Sequence, residues 1–156
     1  MDTLEELKKQ RAELDRKIEE LESIGQPFDR FQKYYLLTTY GGVTKQIYDD
    51  YNIHINNVGQ GNAFHTEQEA ELEAKRRSLL HRFKMFKDEC NGDWEVNFYK
   101  DQRHHFISFE NVDGTLFTDS TWSKEFDLFG YFKNESDCDK AIELFGDEIK
   151  RLYVEV

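Results

Sequence analysis

Leu4, Leu7, Leu14, Ile18 and Leu21 fall at alternating spacings of three and four residues, the a and d positions of a heptad, and Arg11 takes the one a position that breaks the apolar stripe. A stripe confined to a and d is narrower than the face a helix turns toward a globular core. Residues 1–24 are therefore expected to form a coiled-coil oligomerisation helix, with Leu4, Leu7, Arg11, Leu14, Ile18 and Leu21 as its seam. Both ends are marked: Thr3 with Glu6 fits a capping box, and Gly25 followed by Pro27 is a stop signal. Three heptads lie near the lower limit for a free-standing coiled coil, so the competing arrangement is a helix folded back on its own domain. Arg11 in the seam costs stability but favours one register and a low oligomer number, which points to a homodimer.

Beyond a linker at 25–30, 12 of the 13 Phe and all 8 Tyr supply large side chains for one core within residues 31–156. Strand-like runs at 33–40 and 43–48 flank Gly41-Gly42, a hairpin signal, and a third run at 51–55 also alternates like a strand. Thr66 and Glu69 form a second capping box, opening a helix to about residue 87 whose apolar side carries Leu72, Leu79, Leu80, Phe83 and Phe86. The order then repeats: strand-like runs at 105–110, 115–122 and 126–132, followed by a helix with Asn134 at its N-cap and an apolar period from Cys138 to Tyr153 that Gly146 should bend. Setting Phe64–Ala70 over Phe132–Cys138 brings the two helix starts into register, 68 residues apart. The expected fold is α+β, with halves at about 31–90 and 91–156 and an antiparallel sheet, or two, covered by the two helices.

Charge restricts the partners. The net charge is −11, and the excess sits at the C-terminal end, where residues 91–156 carry 15 acids against seven bases. Phosphate backbones should repel such a chain, so direct DNA or RNA binding is not expected and a basic partner is. Asp113, Asp119, Glu125, Asp127, Glu135, Asp137 and Asp139 are the candidate partner-binding set; the same acids could equally be a solvated, solubilising face. The two cysteines form no C-x-x-C pair, the apolar runs are short, and Met1 leads into charged residues, so a reducing cytoplasmic compartment and no membrane are expected.

No constellation dictates a reaction. His54, His65, His81, His104 and His105 show no metal-ligand spacing, and adjacent His104 and His105 would point to opposite faces of a strand. No G-x-S-x-G, H-E-x-x-H or Walker-type loop occurs, and Gly59-Gln60-Gly61 reads as a turn. Cys138 lies on the apolar stripe of its helix and reads as core, and Cys90 as a bystander at a helix end. Catalytic residues, metal and cofactors are thus all expected to be absent, and the aromatics are expected to pack on a sheet, not to stack bases.

The run Gly61-Asn62-Ala63-Phe64-His65-Thr66-Glu67-Gln68-Glu69-Ala70-Glu71, the Asn91-Gly92-Asp93-Trp94 after the helix, Tyr131-Phe132-Lys133 and Ala141–Glu148 resemble small proteins encoded by phages and prophages of Gram-positive bacteria, over roughly residues 30 to 155. These motifs mark strand-to-helix junctions, and no catalytic residue transfers with them. The resemblance implies an accessory phage protein of the host cytoplasm, and such proteins often bind and disable host defences such as CRISPR effector complexes. The expected function is that of a non-enzymatic anti-defence protein that blocks a defence nuclease complex, with acids imitating nucleic-acid phosphates. Two alternatives stand beside it: a sponge for a nucleotide-like immune signal, held in a pocket between protomers lined by aromatics with Arg and Lys, and a phage structural or replication accessory protein.

Overall fold

The computed structural model describes residues 3–23, 28, 31–49, 51–123 and 125–156, and of residues 19–23 the backbone alone. The stop signal at Gly25 and Pro27, and most of the linker, lie outside the described residues. The fold is α+β: helices α1 (Leu4–Ser23), α2 (Asn52–Gly59), α3 (Glu67–Asn91) and α4 (Glu135–Ile149), with strands β1 (Lys33–Leu37), β2 (Val43–Ile47), β3 (Ala63–Phe64), β4 (His104–Phe109) and β5 (Leu116–Thr121). The chain divides into two compact units, Met1–Glu71 and Leu72–Val156. Among the described residues no helix is long and apolar enough to cross a membrane.

In the first unit the Thr3–Glu6 capping box opens α1 as its residues predict. The Glu6 carboxylate accepts the Thr3 backbone N–H at 2.8 Å, and the Thr3 hydroxyl oxygen accepts the Glu6 N–H at 3.4 Å. Strands β1 and β2 pair antiparallel, Tyr35 opposite Lys45, and β3 pairs antiparallel with the other edge of β1, giving the order β2-β1-β3. The first strand ends at Leu37, short of Tyr40. Thr38 N–H bonds the Gly42 carbonyl at 2.8 Å and Gly41 adopts φ +78°, so residues 38–42 form the turn and Tyr40 stands at its tip. The small core gathers Phe28, Tyr34 and Tyr48, with Leu36, Val58 and Ala63 against them.

Residues 51–55 are not a third strand. They enter α2, and Ile53 and Ile55, whose alternation suggested a buried strand face, are both exposed. A polar anchor decides the matter. The helical spacing of three residues brings His54 and Asn57 to one buried hydroxyl, that of Tyr34, at 2.7 and 3.4 Å, whereas a strand would turn them to opposite faces.

In the second unit β4 and β5 form an antiparallel hairpin, Ile107 opposite Thr118, extended by a single bridge between His105 and Phe132. Leu79 and Phe83 of α3 meet Ile107, Phe132 and Cys138, Ala141 and Ile149 of α4 in one core, and burying a side chain the size of Phe83 is worth about 1.5–3 kcal/mol. Residues 126–132 are a loop apart from that bridge. Asp127 accepts the Phe129 N–H at 2.9 Å and Gly130 adopts φ +74°, which no strand tolerates.

Three further expectations at the helices are refined. Asn134 occupies the N-cap position with extended backbone, but its side chain donates to Asp137 at 3.0 Å instead of accepting a helical N–H. Gly146 neither ends nor interrupts α4; a Cβ there would sit 3.4 Å from Ile142 and 3.7 Å from Leu116, in ordinary contact with both. Helix α3 runs to Asn91, whose side chain ties Tyr131 carbonyl and Lys133 N–H at 2.9 and 3.0 Å. After Ile149 the chain widens into a π-turn, Lys150–Val154, where the Arg76 guanidinium donates to the Leu152 carbonyl at 2.9 Å and lies 4.8 Å above the Tyr153 ring.

The internal repeat is visible in topology. Phe64 lies in β3 and Phe132 in the bridge, each antiparallel to the first strand of the preceding hairpin. The following helices start at Glu67 and Glu135, and Ala70 and Cys138 are both fully buried.

Candidate functional site

The seam residues of α1 stand uncovered. Every described side chain from Thr3 to Ile18 is exposed, including Leu4 at 69%, Leu7 at 50%, Leu14 at 59% and Ile18 at 49%. That exposure disfavours a helix folded back onto its own chain over these residues. Arg11 reaches along the helix to Asp15 at 3.7 Å, and Lys17 pairs with Glu13 at 3.1 Å. Hydrogen bonds from the Thr3 backbone and hydroxyl hold the Glu6 carboxyl below its ordinary range. Leu21 occupies the next d position by sequence; its side chain lies outside the described residues.

A polar relay in the first unit was not legible in the sequence. The buried Tyr34 hydroxyl lies 2.7 Å from His54 Nδ1, and His54 Nε2 lies 3.2 Å from Asp49, whose carboxylate also accepts the Tyr51 N–H at 3.1 Å. The carboxylate favours the tautomer with the proton on Nε2, so Nδ1 accepts from Tyr34. Both ring nitrogens are thereby engaged, which fixes the orientation of the His54 ring. His54 forms one wall of an open groove of about 470 Å³, with Lys33, Lys45, Gln46 and Ile47 as the others. Two lysines beside a histidine suit an anionic guest.

The seven candidate acids are divided among several sites. Asp113 accepts the Thr115 N–H at 2.9 Å in the β4–β5 turn, and hydrogen bonding from the Thr115 hydroxyl and then from that N–H lowers its carboxyl from the ordinary range. Asp139 accepts the Thr118 hydroxyl at 2.6 Å, whereas Asp119, the next residue on β5, faces the other side of the sheet and accepts the Ser120 N–H at 2.7 Å. Glu135 and Asp137 lie in the first turn of α4, where negative charge favours the helix dipole. The Glu125 side chain is exposed, and its backbone carbonyl accepts the Tyr131 hydroxyl. Burial raises the Asp127 carboxyl above its ordinary range, against the pull of the Phe129 and Gly130 N–H groups and of Lys87.

Lys87 of the second unit is held by its surroundings. Its ammonium donates to the Phe129 carbonyl at 3.2 Å, and burial lowers its pKa. It borders a cleft of about 290 Å³ with Trp94, Glu95, Gly130 and Tyr131 among its walls. The thiols are unsuited to nucleophilic work. Burial pushes Cys138 up to about 11 and raises Cys90 as well, so both stay protonated near neutrality.

The outward face of the β4–β5 hairpin carries several aromatics, some of them exposed. Phe98 and Tyr131 cover it at the His104–Phe106 end, with the His104 ring 4.3 Å from that of Tyr131. His104 is buried, with Nδ1 bonded to the Gln102 carbonyl at 2.8 Å. Farther along, Phe117 is 39% exposed next to Asp119; Trp122 and Phe126 are exposed near the His104 end, with the Phe126 ring 5.5 Å from that of Phe98. Among the described residues no group of three His, Cys, Asp or Glu side chains is placed to hold a metal ion.

The chain matches no protein-family model, and no curated protein or solved structure is significantly similar to it.

Proposed function

We propose that this chain is a non-enzymatic, phage-encoded binding protein of the anti-defence kind, dimeric through α1, that occupies a basic nucleic-acid channel of a host defence nuclease complex in the host cytoplasm. The observation that carries the reading is the open end of the β4–β5 face, where Phe117 and Asp119 stand side by side within the half of the chain that carries 15 acids against seven bases. An aromatic ring beside a carboxylate is suited to arginine, whose guanidinium donates a charge-assisted hydrogen bond to the carboxylate and stacks on the ring. A dimer would present two such faces, and blocking would be steric and electrostatic.

The test is binding of the full chain to a guide-loaded CRISPR nuclease, as a representative defence complex with a basic channel, at 50 and 200 mM salt. Affinity should fall at least tenfold across that range and be lost in Asp119→Lys. Affinity unchanged by salt, or by the substitution, removes the electrostatic mechanism. Recovery of phage proteins alone from a phage-infected lysate would instead assign a structural or replication role.

The groove between Lys33, Lys45 and His54 favours a second reading, a sponge for a nucleotide-like signal. Heat-denatured protein purified from infected cells would then release a phosphorylated small molecule, and Lys33→Ala with Lys45→Ala would abolish it.

A further inference from the structure

We propose that the α1 arms of two copies pair antiparallel, with Leu4 against Leu21, Leu7 against Ile18 and Arg11 against Leu14 of the second copy. The inference rests on the self-association proposed above and adds its direction.

The seam itself argues for it. In a parallel, in-register pair each a position meets its own copy, so Arg11 would face a second Arg11 within one layer, between the Leu7 and Leu14 layers. Its flanking g-to-e pairs would be Thr3 with Lys8, Gln10 with Asp15 and Lys17 with Glu22, of which one is an ion pair. Reversing one helix sets a against d. The two Arg11 side chains then lie in different layers, three residues or about 4.5 Å apart along the axis, each opposite a leucine. The flanking e positions now bring Lys8 of each copy beside Asp15 of the other.

The arrangement already present in one chain fits this pairing. Arg11 is 85% exposed at its side chain and leans toward Asp15, the e-side neighbour, so its guanidinium leaves the seam on the side where the second copy would bring Lys8 and Asp15 together. Leu4, Leu7, Leu14 and Ile18 need no rearrangement to meet a second copy, because nothing described covers them. Exposed ion pairs are worth little, and each orientation has some; the parallel orientation alone puts both Arg11 stems in one layer, so that both guanidinium groups must leave the seam at the same level. The two helix dipoles also oppose each other when the arms run antiparallel.

Cysteine cross-linking reads the orientation. In a Cys90→Ser background, with Cys138 left in place because it is buried and its thiol is raised to about 11, Leu7→Cys and Ile18→Cys chains are oxidised singly and as a mixture, while light scattering gives the mass of the reduced samples. Antiparallel pairing gives disulfide-linked dimers in the mixture and none in either chain alone. Cross-linking of Leu7→Cys by itself, at dimer mass, overturns the direction and leaves self-association standing. Monomer mass with no cross-link in any sample removes both.

Discussion

Thr118 donates its hydroxyl to Asp139 at 2.6 Å, which fixes the first half of α4 to β5 and gives one of the seven candidate partner-binding acids a task inside the fold. Its neighbour Asp119, on the opposite face, bonds among the described residues only to the adjacent backbone N–H. The two carboxylates are thus predicted to separate in experiment. Thr118→Val or Asp139→Ala should each cost about 0.5–1 kcal/mol in urea unfolding, small because the bond is exposed to water, and the double variant should cost less than the sum. Asp119→Lys should leave the unfolding midpoint unchanged and abolish partner binding. A destabilised Asp119→Lys would mean that the open face is structural.

The Asp127 carboxyl has a pH signature. Burial raises its folded-state pKa above the unfolded value, so the folded state prefers it protonated: its contribution is fully favourable below the unfolded pKa, about 4, and is lost as pH rises through the folded pKa. Asp127→Asn mimics the protonated form and keeps an oxygen for the Phe129 N–H. The variant should therefore be at least as stable as the parent at pH 7, with the margin closing as pH falls below about 4. Thermal unfolding between pH 3.5 and 7 measures it, and a variant that loses stability increasingly as pH rises would show the pairing with Lys87 to dominate instead.

Gly130 is required for two reasons that can be separated. A Cβ there would clash with the Lys87 ammonium, and the backbone φ of +74° is one that L side chains resist. The lysine end is flexible and can move away, whereas the backbone cannot. Gly130→Ala should cost about 1–2 kcal/mol, and nearly the same in a Lys87→Met background. Relief by Lys87→Met would place the conflict in the side chain.

The elements legible in the sequence were those held by local chemistry. Thr3 with Glu6 and Thr66 with Glu69 each make their reciprocal bonds, and the match of Phe64–Ala70 to Phe132–Cys138 predicts two helix starts 68 residues apart that the fold reproduces. What failed was decided at a distance. Alternation at Tyr51, Ile53 and Ile55 favours a strand, but the hydroxyl of Tyr34, about twenty residues earlier, collects His54 and Asn57 and fixes a helix. In 126–132 the sequence did contain a signal, Asp127 three residues before Gly130, and the aromatic run around it masked the turn.

The candidate sites followed the same division. The α1 seam is periodic and could be read from spacing alone. The acids could be counted but not placed, since only the pleat of β5 sends Asp119 away from the face that holds Asp139. The groove of Lys33, Lys45 and His54 joins residues from β1, β2 and α2 and has no linear motif at all.

Self-association through α1 underlies both the proposed function and the direction of pairing, and light scattering of the full chain tests it most directly. The parent protein should have twice the 18.7 kDa chain mass, and Leu14→Glu with Ile18→Glu, both at exposed positions and so harmless to the fold of one chain, should return it to 18.7 kDa. A parent already at the chain mass, or an unchanged mass in the double variant, would contradict the pairing of the arms.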